Sequence, residues 1–349
     1  DPEEARRRIE AGESYVLRIK VPEDRGDVVI HDAVHGEVTF DAKELDDFVI
    51  FRSDGTPTYN FATVVDDAMM KITHVIRGDD HLSNTPRQVM VYEALGAPVP
   101  TFAHISMILG ADGKKLSKRH GATSVEEYRD AGYLSDAFVN YLALLGWSPR
   151  GEQSEQEFFT LDELVGAFDI GGISKSPAIF DIEKLTYFNA NYLRNLPPEE
   201  FCKVAEPYIR QAVKNEAYSV GEIAALLQAR CEKLTDIPEK VDFFDALPEY
   251  GVEFYTNKKS KTNSEVSLDM LNKVLPKLES LPEWTNDAIH DMLVSFAEEL
   301  GVKNATLMWP LRIAVAGKLV TPGGAVEICH ILGREETIKR VKAGIAKLA

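Results

Sequence analysis

The sequence predicts a mixed chain: an α/β part built on a parallel sheet, followed by an all-α part. Two observations carry this. A β-branched run over residues 73–76, a helix signal over 85–96 and an apolar run over 105–109 have the spacing of a strand–helix–strand unit, whose strands lie parallel beneath a covering helix. From Ser124 onward apolar residues recur at helical spacing between cap and stop signals, and beyond Pro197 the pattern is helices and polar loops throughout.

In order, residues 1–8 read as a charged helical piece, and residues 14–21 alternate in a strand-like way. The apolar runs 28–30 and 38–40 continue the β pattern about a turn at His35-Gly36. After the Asp54-Gly55 turn, Pro57 is expected at a first helical position, and Phe61, Val64, Val65 and Ala68 mark one helix face, with Tyr59 and Thr63 a turn apart beside it. Thr85, Pro86 and Gln88 read as N-cap, first residue and capping-box partner of a helix closed by Gly96. Ser124 with Glu127 and Thr160 with Glu163 read as two more capping boxes. Ser135 opens a helix that Gly146 stops, with Trp147 packing the corner as core. Thr285 caps a long helix closed by Gly301, and residues 307–316, 325–332 and 335–348 follow, separated by Gly317, Pro322-Gly323-Gly324 and Gly333.

A length of 349 residues leaves room for two or three domains, and 44% apolar with 27% charged residues is the composition of a folded globular chain. A net charge of −17 argues against indiscriminate binding to polyanions, yet permits a specific nucleic-acid partner if the basic residues gather on one face. Cys202, Cys231 and Cys329 are far apart and form no Cys-x-x-Cys, which fits thiols in a reducing compartment better than a zinc site or disulfide frame. No apolar run approaches the ~18 residues of a membrane span, so a cytoplasmic location away from membranes is expected.

Chemistry concentrates in Ile108-Leu109-Gly110-Ala111-Asp112-Gly113-Lys114-Lys115-Leu116-Ser117-Lys118-Arg119-His120-Gly121. Here an Asp-Gly turn leads into a run of cations with one serine hydroxyl. Lysine ammoniums, Ser117 and loop amides suit a phosphate cradle; a solvated basic hairpin is the alternative. Arg77 lies just past a strand's carboxyl end, where ligands bind in parallel sheets and where a guanidinium grips a carboxylate bidentately. The same arginine could instead pair with Asp67, Asp79 or Asp80, and Tyr59 could be a core tyrosine. The spacing of Asp66, Asp67, Asp79 and Asp80 fits no calcium or histidine–carboxylate metal site.

Lys115-Leu116-Ser117-Lys118-Arg119 closely resembles the Lys-Met-Ser-Lys-Ser signature of class I aminoacyl-tRNA synthetases, in the form typical of glutamyl-tRNA synthetases of the bacterial type. The stretches Arg52-Ser53-Asp54-Gly55-Thr56-Pro57-Thr58-Tyr59-Asn60-Phe61, Ile72-Thr73-His74-Val75-Ile76-Arg77-Gly78-Asp79-Asp80-His81 and Asn84-Thr85-Pro86-Arg87-Gln88 resemble the same family in order and spacing, as do residues 141–148 and 174–181. The resemblance implies the second half of a Rossmann-like nucleotide-binding domain over residues 51–122, after the remainder of a connective, acceptor-end insertion over residues 1–50. It implies a helical stem-contact domain over residues 123–195 and an α-helical anticodon-binding domain over residues 196–349. Implied by the resemblance are ATP with Mg²⁺, L-glutamate and tRNA(Glu) as substrates, no protein-bound metal, and a monomer. Lys118 and Lys115 are implied as catalytic; these two with Ser117, Arg119 and His81 as ATP-binding; and Tyr59, Arg77 and Thr63 as glutamate-binding. Lys258, Lys259 and Lys261, with the 334–347 stretch, are either an RNA face or solvated helix flanks.

One departure is plain: none of the eight histidines lies in the His-x-Gly-His signature of the class. The expectation is therefore a C-terminal portion lacking the first half of the catalytic domain and inactive alone, an expectation shared by the opening Asp1-Pro2 without methionine. The rivals are a glutaminyl-tRNA synthetase, which would carry β-barrels where this chain reads helical, and a non-catalytic tRNA-binding descendant. Length disfavours the short paralogues without an anticodon domain.

Overall fold

The computed structural model describes every residue except Lys118, His120, Ala122 and Thr123. The chain forms two compact units, Asp1–Thr123 with Val139–Asp181, and Ser124–Phe138 with Ile182–Ala349.

The first unit contains the expected strand–helix–strand element. Strand His74–Gly78 pairs in parallel with Thr101–Ile105, and helix Thr85–Leu95 joins them. That helix packs against Tyr59–Met70 through a core of Val64, Val89, Met90, Val91, Tyr92 and Phe102, to which the hairpin residues Val28 and Ile30 also belong. The hairpin pairs Val28–Asp32 with Gly36–Phe40, antiparallel. Its first strand alternates buried and exposed residues, so Asp32 points inward with Val28 and Ile30. A bond from the Ala33 amide to the Phe102 carbonyl (2.8 Å) pins the hairpin end to the second parallel strand.

Four local expectations are corrected. The apolar run 105–109 is not one strand: the sheet partner is Thr101–Ile105, and Ile108–Leu109 pairs separately, in parallel, with Ala178–Ile179. Ser106 marks the break, its Oγ donating to the Lys175 carbonyl at 2.7 Å. Pro57 does not open the helix Tyr59–Met70. Thr58 is its extended N-cap, held back to the Val49–Phe51 strand by a 2.9 Å bond from its hydroxyl to the Val49 carbonyl. Thr85 is not a cap either; Asn84 precedes the helix, and the Thr85 hydroxyl is bonded elsewhere. Of the strand-like residues 14–21, only Leu17–Arg18 forms a strand, against Val49–Phe51. Trp147 is buried with Phe159 and Leu164 as expected, its indole nitrogen donating to the Asp169 carbonyl.

In the second unit the described residues from Pro198 onward form helices and 3₁₀ turns and no strand. Phe201, Ile209, Leu227, Phe243, Leu271, Leu293, Leu311 and Ile328 belong to one continuous apolar core and are fully shielded. The Ser124–Glu127 capping box is present, and Thr285 accepts from the Ala288 amide at its helix start. Residues 325–348 run as one helical stretch, Ala325–Leu348, interrupted where Gly333 adopts φ 77°, which a Cβ would oppose.

Candidate functional site

The lysine loop begins where strand Ile108–Leu109 ends. The Gly110 amide bonds to the Lys114 carbonyl and the Lys114 amide to Asp112 Oδ1, at 2.8 and 3.0 Å, so the Asp-Gly signal folds as the expected tight turn. The returning chain bonds the Leu116 amide to the Ile108 carbonyl and directs Lys115 Nζ to Asp80 Oδ2, 3.2 Å away. The lysine hydrogen bond holds the exposed Asp80 carboxyl below its usual pKa. Arg119 lies 3.5 Å from Asp112, and Ser117 is half-buried in the same loop. The proposed catalytic Lys118 lies outside the described residues.

Asp80 sits close to the end of strand His74–Gly78, and Gly78 makes this possible: a Cβ there would stand 2.6 Å from Asp80 Oδ1. One residue back along the strand is Arg77. Its Nη2 donates to Thr85 Oγ1 at 2.8 Å and its Nε to His104 Nε2 at 3.2 Å, while the Phe102 ring lies beneath the guanidinium, 5.3 Å away. Burial draws its pKa below the usual value, opposed by the neighbouring Tyr59 phenol and the charge of Asp67. Among the described residues no carboxylate lies within ion-pair distance of Arg77, so the pairing with Asp67, Asp79 or Asp80 left open by the sequence does not form. Asp67 instead accepts from the Tyr92 hydroxyl at 3.1 Å, and Asp80 takes Lys115.

Tyr59 is exposed rather than core; its hydroxyl lies 3.3 Å from His81 Nδ1, with the rings 5.9 Å apart. Thr63 is half-buried one turn further along the same helix. Tyr59, Arg77 and His81 therefore converge at one strand end, and the loop reaches the same segment through Lys115 and Asp80. Among the described residues no group of three His, Cys, Asp or Glu is arranged to hold a metal ion, and no helix is long and apolar enough to cross a membrane.

Sequence reasoning missed Asp32 and His104. Both side chains are completely buried, with His104 Nδ1 2.6 Å from Asp32 Oδ2. Asp32 Oδ1 also accepts from the Val34 and His35 amides, each at 2.9 Å. Burial raises the Asp32 carboxyl, but the bonds from His35, His104 and Val34 outweigh it and leave the pKa below normal. Burial likewise pushes His104 below its ordinary value, against the pull of Asp32. The available signals were a histidine inside the apolar run Phe102-Ala103-His104-Ile105 and an aspartate closing an apolar strand.

The family description "tRNA synthetases class I (E and Q), catalytic domain" matches residues 1–187, and "Anticodon binding domain" matches residues 200–345. The chain is 47% identical over 346 residues to a glutamate–tRNA ligase of Clostridium tetani, covering 99% of this chain and 70% of that relative. It is 45% identical to the corresponding ligase of Clostridium acetobutylicum, over the same shares of both chains. Among solved structures it is similar to a glutamate tRNA ligase from Elizabethkingia meningosepticum in complex with its amino acid, with TM-score 0.88, 32% identity, and coverage of 100% of this chain and 72% of the other. A glutamate–tRNA synthetase from Elizabethkingia anophelis follows, with TM-score 0.85, 32% identity, and coverage of 99% and 71%.

Proposed function

The chain belongs to the class I tRNA synthetases of the E and Q group, and from that premise we propose that it is a glutamate–tRNA ligase. ATP and L-glutamate give glutamyl-adenylate and pyrophosphate; a ribose hydroxyl at the 3′ end of tRNA(Glu) then takes the glutamyl group and releases AMP. The observation that carries this reading is an arginine with no carboxylate at ion-pair distance among the described residues, at a parallel strand's carboxyl end and beside a segment that the lysine loop also reaches.

Arg77 retains guanidinium donors beyond those given to Thr85 and His104, and it receives a carboxylate of glutamate. Tyr59 and Thr63 complete that pocket from the helix Tyr59–Met70. Lys118 and Lys115, with Ser117, Arg119 and His81, bind ATP, whose Mg²⁺ arrives with the nucleotide. Charge develops on the departing pyrophosphate, so cations that tighten on it only in the transition state accelerate adenylate formation. Lys115 exchanges Asp80 for phosphate as the loop closes. Residues 1–50 complete the acceptor-end insertion, residues 51–122 the catalytic domain, residues 123–195 contact the tRNA stem and residues 196–349 read the anticodon, in a monomer acting in the cytoplasm. The helical C-terminal half favours this reading over the glutaminyl rival, for which β-barrels are expected there.

The test is ATP–pyrophosphate exchange by the full-length gene product, with glutamate or glutamine, with and without tRNA. Exchange with glutamate that Lys118→Ala abolishes is the expected result. No exchange under any condition, with tRNA binding intact, would mean the scaffold serves RNA binding alone.

A further inference from the structure

Asp32 and His104 form a completely buried acid–histidine couple directly behind Arg77. The proton positions along this chain follow from chemistry. Arg77 Nε bears a hydrogen and offers no lone pair, so His104 Nε2 accepts from it. A neutral ring then carries its single proton on Nδ1, which donates to Asp32 Oδ2 at 2.6 Å. Asp32 is fixed in turn by the amides of Val34, His35 and His104. Three segments are thereby locked in register: the hairpin end, strand Thr101–Ile105 and strand His74–Gly78.

An arginine's value as a carboxylate receptor depends on the plane of its guanidinium, and its long side chain does not fix that plane unaided. We propose that Asp32 and His104 are positioning residues that hold Arg77 in the orientation that receives the substrate carboxylate, with Asp32 setting the His104 tautomer that lets the imidazole accept from Arg77. Thr85 supplies the second anchor through Nη2. This inference rests on the reading of Arg77 as the glutamate receptor.

Asp32→Asn separates a positioning role from a merely structural one. The asparagine oxygen stays with the Val34 and His35 amides, and its NH₂ faces His104 Nδ1, so the ring proton moves to Nε2 and confronts the Arg77 Nε–H. In the full-length gene product, imidazole ¹⁵N NMR is expected to report the Nδ1–H tautomer for the native protein and Nε2–H for Asp32→Asn. The KM for glutamate in pyrophosphate exchange should rise about tenfold to a hundredfold, as for a lost hydrogen bond to a charged group, while the KM for ATP stays unchanged. His104→Gln, which offers Arg77 an acceptor and has no tautomer to lose, should lie nearer the native KM. Measurements are made below each variant's melting transition. An unchanged glutamate KM in Asp32→Asn, while Arg77→Lys raises it, would overturn the relay and leave the receptor standing. An unchanged glutamate KM in Arg77→Lys would overturn the receptor itself, and this inference with it.

Discussion

Arg340 in the helical unit and Arg77 in the α/β unit are both withdrawn from solvent, but they are held in opposite ways. Arg340 is 2% exposed; its Nη1 donates to the Phe243 and Val315 carbonyls, its Nη2 to the Phe244 carbonyl and its Nε to Glu336. Its donors are taken up by backbone and counter-ion, so it ties helices together and has little left for a ligand. Among the described residues no carboxylate lies at ion-pair distance from Arg77; it is anchored by the neutral acceptors Thr85 and His104, with the Tyr59 phenol and the charge of Asp67 acting from nearby, and a cation with spare donors is a receptor for an anion. The same residue type thus serves the fold in one unit and the substrate in the other.

Breaking Arg340 should give the largest effect on stability. Arg340→Ala leaves three backbone carbonyls without their donor and Glu336 with Lys339 alone, and is expected to cost about 3–5 kcal/mol. Denaturant titration followed by Trp284 and Trp309 fluorescence reads that unit directly. A loss under ~1 kcal/mol would sink the contrast with Arg77, since surface substitutions cost no more.

Acid and alkali should sharpen the comparison by acting first on different groups, acid on the buried Asp32–His104 pair of one unit and alkali on the buried thiols of the other. In the first unit, Asp32 and His104 have pKa values lowered from 3.8 and 6.5. The folded state therefore binds fewer protons than the unfolded one, and stability present above pH 6.5 is lost as pH falls through the folded values. In the second unit, burial raises Cys231 from 9.0 to about 11 and Cys329 from 9.0 to about 12. Their contribution is intact below pH 9.0 and lost as pH rises towards those values. A Trp284→Phe/Trp309→Phe protein, leaving Trp147, should report acid sensitivity in the first unit, and Trp147→Phe alkali sensitivity in the second. Coincident loss of both units at both extremes would refute the division.

The smallest effect on stability is expected from Gly78→Ala. The added methyl meets only the end of the Asp80 side chain, so the melting temperature should move little, while the Asp80 carboxylate must turn away from Lys115. A change in the KM for ATP with near-native melting fits that account. A large fall in melting temperature would show that the position supports the fold instead.

What the sequence made legible is largely what closes over short distances. The capping boxes at Ser124 and Thr160, the cap at Thr285 and the interruption at Gly333 form as read, because each hydrogen bond or backbone requirement lies within a few residues. The all-helical character of the C-terminal half is legible for the same reason. Thr85 shows where that reasoning ends. Thr-Pro-x-Gln fits a capping box, yet the hydroxyl bonds to Arg77 and His104, and Gln88 donates to Asn60. An apolar run could not decide between 101–105 and 105–109 as sheet partner, because register is set by the ladder to 74–78.

The sequence by itself determined the family, the α/β-then-helical order, and the residue types at the strand end and in the lysine loop. Only the tertiary structure decided that, among the described residues, no carboxylate lies at ion-pair distance from Arg77, that Lys115 reaches Asp80, and that Asp32 stands behind His104 from 72 residues away. The reason is physical: a hydrogen bond between distant residues leaves no periodic trace in a sequence, and its strength depends on burial that the packed core alone creates.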